Sequence, residues 1–196
     1  MAYPTQDIEV KVSSEGAQSF VDWYYRDLND NRSLSSYYVN TSTKYTNAGI
    51  NADITINGGV VASPAEYEAL LDEQRGSSKP NGADSKGAGA SSSSSSLSTN
   101  NKVRYEVDSF DTQVINNDYS LACPEHILSR GPDKNGGRVS MVVAVMGVVH
   151  VGSGPDALRR RFHEVFVLVP NWDVRGRNPP RNAKRFLISS QNYRTL

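Results

Sequence analysis

The groups that could transfer protons are scattered along this sequence rather than paired. General acid–base catalysis needs at least two such groups held together, with pKa values suited to the reaction. Asp22 and Asp53 fall outside the apolar stripes of their predicted elements, so we expect both to face water. The remaining candidates in principle are Tyr24, Tyr105 and Tyr193. No pair of carboxylates and no His–Asp arrangement stands out, so we predict no catalytic site and no enzyme activity.

The sequence also gives little indication of a metal-binding site. His126, His150 and His163 have no Cys, His or Asp neighbour at the spacing of metal ligands. The single cysteine, Cys123, cannot form an internal disulfide, which is typical of a reducing compartment. We therefore predict no metal and no cofactor.

Basic residues are concentrated near the end of the chain, where they could contact phosphate groups. The candidates for RNA binding are Arg159, Arg160, Arg161, Arg175, Arg177, Arg181, Lys184 and Arg185. Phosphate contacts need arginine and lysine but no particular fold. Residues 1–75 instead hold eleven acids and five bases, so charge is unevenly distributed although lysine plus arginine and aspartate plus glutamate both number 21. This asymmetry bears on the choice of partners.

Targeting signals are not evident in the sequence. The first twelve residues alternate charged and apolar side chains and lack the apolar core of a signal peptide. The longest apolar stretch, residues 141–149, is shorter than the ~20 residues that span a bilayer. We expect a nuclear or cytoplasmic protein without membrane insertion.

The elements that must position these residues begin with helices. Ala17, Phe20, Val21, Tyr24 and Leu28 recur at helical spacing, which predicts a helix over about residues 6–28. A second, short helix is expected near residues 34–38. Isoleucines over residues 50–56 predict a strand, and Asn-Gly-Gly at 57–59 predicts a hairpin turn. Ser-Pro-Ala-Glu at 63–66 is a capping box with proline in the first turn, so a third helix should follow, ending near residue 74.

In the second half of the chain, apolar residues recur at every second position, which is the spacing of β-strands. Strands are predicted over about residues 103–115, with a parity slip at 109–110, and over 138–151, 162–169 and 183–193. A Ser/Gly-rich insertion at about 75–101 has too few apolar side chains to order itself, and a second loop insertion lies at about 119–137. Helices followed by antiparallel strands predict one α+β domain over residues 1–196, with helices on one sheet face.

The later strands are apolar on both sides, which indicates a second covered face. Helices can cover only one side of the sheet, so the other side should meet a partner. By strand parity, we predict that the partner-binding face carries Phe186, Ile188, Asn192 and Arg194 on the last strand. On the preceding strand, parity places His163, Val165 and Val167 on one face and the phenylalanines Phe162 and Phe166 on the other.

The layout resembles the nuclear transport factor 2-like family over nearly the whole chain outside the insertions. The matching segments are residues 20–25 with 30–32, residues 57–61 with 63–67, residues 162–168, and Ser-Gln-Asn-Tyr-Arg at 190–194. They resemble the first helix and its turn, the hairpin and third helix, the penultimate strand and the closing aromatic–arginine motif. The family usually has an aromatic or apolar residue after that arginine, whereas Thr195 and Leu196 follow here.

Within the family, the insertions most resemble those of the small subunit of fungal mRNA export receptors. The resemblance implies a cone-like curved sheet and a heterodimer with the related domain of the large subunit. It implies that Phe162 and Phe166 point inward, so that His163, Val165 and Val167 meet the partner. It also implies that Arg194 pairs with a partner aspartate and that the complex shuttles between nucleus and cytoplasm. It also implies contact with FG-repeat nucleoporins through the complex at the nuclear pore, and a role with pre-ribosomal particles. The family leaves two alternatives: a homodimeric Ran–GDP import carrier, or an isomerase or dehydratase that uses the cone pocket.

Overall fold

A computed structural model describes residues 2–76, 102–152, 157–175 and 183–196. The helices are α1 (Gln6–Asn29), α2 (Thr43–Asn47), α3 (Pro64–Gln74) and α4 (Glu125–Leu128), with 3-10 turns at Ser35–Tyr37, Val39–Thr41 and Trp172–Val174. The strands are β1 (Asp53–Ile56), β2 (Gly59–Val61), β3 (Val103–Asn116), β4 (Ser140–Val151), β5 (Leu158–Pro170) and β6 (Phe186–Thr195). They form one curled, unclosed sheet in the order β2-β1-β6-β5-β4-β3. The predicted α+β class is confirmed.

Helix α1 packs its apolar stripe against the sheet. The five residues of the predicted stripe are all buried, and the helix bounds differ from the prediction by one residue at the C-terminal end. Aromatic rings make the contact: the Phe20 and Phe166 centroids lie 4.9 Å apart, and those of Tyr25 and Phe162 lie 5.8 Å apart. The Phe20–Phe166 pair is edge-to-face, with an interplanar angle of 74°, and such pairs add to the stabilisation from apolar burial. The helix therefore defines the inner face of the sheet.

The hairpin and the third helix form where the sequence predicts them. Asn57 and Gly58 have φ angles of 51° and 86°, which the turn between β1 and β2 requires and which asparagine and glycine adopt at low cost. At α3, the Glu66 amide donates to Ser63 Oγ at 3.2 Å. The Glu66 carboxylate accepts from the Ala62 amide, one residue earlier than in the standard capping box. Strand β1 then pairs in parallel with β6, so the hairpin extends the sheet.

Strands β3, β4 and β5 form an antiparallel meander with the longest pairings of the sheet. The pairing of β3 with β4 shifts between Val107 and Ser109, just before the predicted slip at 109–110, and a second shift between Val114 and Asn116 was not predicted. At Gly147 the backbone of β3 and the side chain of Phe162 both come close to β4. A Cβ at this position would be 2.2 Å from the Glu106 carbonyl oxygen and 2.7 Å from the Phe162 ring. Only glycine fits at this point of the sheet.

The second insertion is a folded loop that packs on the first half of α1. Arg138 is buried, pairs with Asp118 at 3.0 Å and donates to the Gly131 carbonyl at 3.1 Å. Trp172 donates from Nε1 to the Leu121 carbonyl at 3.0 Å. These contacts hold the loop, which also contains α4. The predicted Ser/Gly-rich insertion lies outside the described residues from 77 to 101. None of the described helices is long and apolar enough to cross a membrane.

Candidate functional site

The sheet surface turned away from α1, here called the outer face, carries a continuous apolar patch. Over residues 141–149 of β4 and 162–168 of β5, residues on the inner face are buried, whereas the alternate side chains are partly or fully exposed. The outer residues are Val142, Ala144, Met146, Val148, Val165 and Val167, and Met146 is 44% exposed. Cross-strand pairing places Ala144 opposite Val165 and Val142 opposite Val167. Contiguous exposed apolar surface of this kind is typical of a protein–protein interface.

Polar residues border the patch on both sides. On β6, Arg194 lies opposite His163, and Asn192 lies opposite Val165. Arg194 and Asn192 are exposed and His163 is half-buried. On β3, the exposed Glu106 carboxylate lies 3.1 Å from His150 Nε2. The structure thus brings together five of the seven predicted partner-binding residues: His163, Val165, Val167, Asn192 and Arg194.

The other two predicted partner-binding residues lie on the opposite side of the sheet. Val167 pairs with Ser190 and Leu168 with Ile188, so Ser189 has no partner on β5 and the alternation shifts by one residue. Phe186 and Ile188 therefore share the inner face with Gln191 and Tyr193, and both are buried. The prediction that they share a face with Arg194 is wrong. A parity argument cannot detect an unpaired residue within a strand.

The predicted RNA-binding residues form two separate groups. Arg159, Arg160 and Arg161 are exposed at the start of β5, whereas Lys184 and Arg185 lie just before β6. Since β5 and β6 are antiparallel, the groups lie at opposite ends of the sheet, about 30 Å apart at ~3.3 Å per residue.

The other three arginines that were predicted to bind RNA belong to neither group. Arg175 is half-buried, and its guanidinium lies beside Asp133 next to Gly137, so it contacts the second insertion. Arg177 and Arg181 lie outside the described residues. The basic residues of the sequence therefore do not form one continuous surface among the described parts of the chain.

A buried carboxyl group lies on the inner face and was not predicted from the sequence. Glu164 is 0% exposed. Its Oε2 accepts from the Tyr25 hydroxyl at 2.5 Å, and its Oε1 accepts from Gln191 Nε2 at 2.6 Å. Gln191 also accepts from the Tyr38 hydroxyl at 2.5 Å and donates to the Tyr24 hydroxyl at 3.1 Å. Burial raises the pKa of the Glu164 carboxyl to about 7, although the hydrogen bonds from Tyr25 and Gln191 act in the opposite direction.

Strand alternation could have revealed Glu164, because it lies between the inward phenylalanines Phe162 and Phe166. A carboxyl group at such a position is rarely buried unless hydrogen bonds satisfy it. Each carboxylate oxygen has one donor here, so the arrangement links α1 to β5 and β6. Asp22 and Asp53 are exposed, as expected. Among the described residues, no group of His, Cys, Asp or Glu could hold a metal ion.

Comparisons with known proteins give a clear result only for solved structures. No family model matches the chain, and no curated protein matches it. A structure described as "Sac3N peptide bound to Mex67:Mtr2" is 40% identical with a TM-score of 0.76, covering 94% of this chain and 99% of that one. The Chaetomium thermophilum "Mex67 NTF2-like domain complexed with Mtr2" is 39% identical, with a TM-score of 0.74 over 94% and 98% of the two chains.

A third structure, described as "Structure of Mtr2", is 41% identical with a TM-score of 0.72 over 93% of this chain and 98% of that one. Sequence identity at this level, over almost the full length of both chains, indicates a shared family and not only a shared fold. It agrees with the helices-and-sheet layout and with the exposed outer face described above. The chain belongs to the Mtr2 family of nuclear transport factor 2-like proteins.

Proposed function

We propose that this protein is the non-catalytic small subunit of a heterodimeric mRNA export receptor. In this role its outer face packs against the nuclear transport factor 2-like domain of a Mex67-type large subunit. Support comes from the solved relatives, in which Mtr2 is complexed with Mex67. The single observation that carries the proposal is the apolar patch on the outer face, which the described parts of this chain leave uncovered. Exposing such a surface is unfavourable, and a partner sheet would bury it.

The contacts within this interface follow from the register of β5 and β6. Val165 and Val167 would lie in the apolar centre, where water is excluded. His163, Asn192 and Arg194 would lie beside them, and we propose that Arg194 meets a carboxylate of the partner. We further propose that the complex shuttles through the nuclear pore and contacts FG-repeat nucleoporins. Ordered hydrogen bonding around the inner Glu164 supports a structural use of the fold's interior rather than a catalytic one.

Light scattering should show a 1:1 heterodimer when the chain is mixed with the large subunit's domain. Arg194→Glu should lower the affinity by about 100-fold or more, since a charge reversal next to a partner carboxylate places two like charges in a desolvated contact. Lys44→Glu, which reverses an exposed lysine on α2, is the matched control and should assemble normally. A stable homodimer of this chain that does not bind the large subunit's domain would contradict the proposal and favour the Ran–GDP carrier.

We also propose that the exposed group Arg159–Arg161 contacts RNA, for instance on a pre-ribosomal particle. The slope of log affinity against log salt is about −0.7 per phosphate contact with single strands, so replacing all three by alanine should reduce the slope by about 2. A mobility-shift assay over a salt series measures this. Replacing the exposed Lys11 and Lys44 by alanine is the control and should leave the slope unchanged. Equal slopes for the triple variant and the original chain would refute the contact.

A further inference from the structure

A groove lies on the helix side of the fold, between α1 and the start of β6. Its volume is about 410 Å³, within the range of roughly 300–1,000 Å³ that small ligands occupy. Phe20, Trp23 and Phe186 give it aromatic walls. Gly16 lies at its base, where a Cβ would come within 2.6 Å of the Phe186 ring, so glycine lets that ring lie against the helix backbone. The groove is on the side of the sheet opposite the outer face, and an outer-face partner would leave it open.

The groove is charged differently along its two edges. On the strand side it is lined by Lys184 and Arg185, and on the helix side by Glu15. Lys184 donates to Ser36 Oγ at 2.8 Å, and its Nζ lies 4.0 Å from the centroid of the Tyr37 ring. Among the described residues, no carboxylate lies within the 4.0 Å of an ion pair to Lys184. A half-buried ammonium group in this position gains from a ligand carboxylate.

We propose that this groove binds a short peptide segment in which an aromatic side chain adjoins an acidic one. The aromatic side chain would enter between Trp23 and Phe186, where it gains apolar contact and ring packing. The acidic side chain would meet Lys184 and Arg185, and the peptide N–H groups would face Glu15. A nucleotide also fits the aromatic walls, but its phosphate carries no hydrogen-bond donor for the Glu15 carboxylate, whereas the peptide backbone does. Charge complementarity therefore favours the peptide.

The two tryptophans of the chain make a direct test. Trp23 lines the groove, whereas Trp172 is buried elsewhere and hydrogen-bonded to Leu121. The full chain labelled with 5-fluorotryptophan should give two fluorine NMR signals, assigned with Trp23→Phe. Acetyl-Phe-Asp-amide should shift the Trp23 signal saturably at concentrations up to about 10 mM, as expected for so small a ligand, and leave the Trp172 signal in place.

Specificity is tested with matched probes, one variant and its control variant. Acetyl-Phe-Lys-amide and acetyl-Ala-Asp-amide should each bind about tenfold more weakly than acetyl-Phe-Asp-amide, since each lacks one of the two contacts. Lys184→Gln should reduce the preference for Asp over Lys, and Lys44→Gln, which alters an exposed lysine on α2, should preserve it. The proposal is overturned if no probe shifts the Trp23 signal, if the Lys probe binds as well as the Asp probe, or if uridine monophosphate binds more tightly than both.

Discussion

Replacing Val165 by aspartate should abolish assembly with the large subunit's domain while leaving this chain folded. Val165 lies on the outer face opposite Ala144 on one side and Asn192 on the other. In the free chain the new carboxylate is hydrated at a half-exposed position, so folding is little affected. In the complex it would be buried among apolar side chains without a partner, which costs about 3 kcal/mol or more, or at least ~100-fold in affinity.

The matched control is Val10→Asp, because Val10 is 58% exposed on α1 and far from the outer face. Titration calorimetry with the large subunit's domain measures both affinities, and circular dichroism shows that both variants are folded. If Val165→Asp bound within about threefold of the original chain, less than 1 kcal/mol, the outer face could not be the interface.

The stability of the full chain should fall as the pH rises from 5 to 8, and Glu164→Gln should remove most of that fall. The Glu164 pKa is raised from an ordinary value of 4.5 to about 7 by burial. Below about pH 4.5 the carboxyl is protonated in both the folded and the unfolded chain. Between about pH 4.5 and pH 7 the unfolded chain has lost this proton while the folded chain keeps it, so the free energy of unfolding falls with pH. Above about pH 7 the folded chain has lost the proton too, and the fall ends. Linkage gives a loss of about 2 kcal/mol between pH 5 and pH 8.

Urea unfolding at a series of pH values measures this loss. Glutamine keeps the shape of the side chain and carries no charge, so its curve should be flatter over the same range. Glu73→Gln is the control, because Glu73 is exposed on α3 and should leave the pH dependence unchanged. A parallel decline in the original chain and in Glu164→Gln would show that Glu164 is not the titrating group.

The sequence predicts most of the fold because its strongest signals are local. The stripe of α1, the turn at Asn57 and Gly58, and the cap at Ser63 each depend on residues close together in the chain, and each forms as expected. Short elements gave weaker signals. The predicted helix at 34–38 is a pair of 3-10 turns, and α2 and α4 were not predicted, since helices of five and four residues show no complete apolar stripe.

The candidate site was predicted less completely because it depends on pairing between distant strands. Alternation on β5 correctly places His163, Val165 and Val167 on one face. On β6 the same argument fails at Phe186 and Ile188, because the unpaired Ser189 is visible only once β5 lies beside it. The hydrogen bonds of Glu164 reach 139 residues back to Tyr25 and 27 residues on to Gln191, so no local pattern contains them.

The place of β6 in the sheet bears on how the chain folds during translation. Strand β6 is the last of the described strands in the chain, yet it lies between β1 and β5. Until the ribosome releases it, the β1–β2 hairpin and the β3–β5 meander cannot be joined by backbone hydrogen bonds, and both keep an open edge. Open strand edges promote association between chains. A nascent chain stalled before residue 186 would therefore be prone to aggregate, and its open strand edges would be binding sites for chaperones during synthesis.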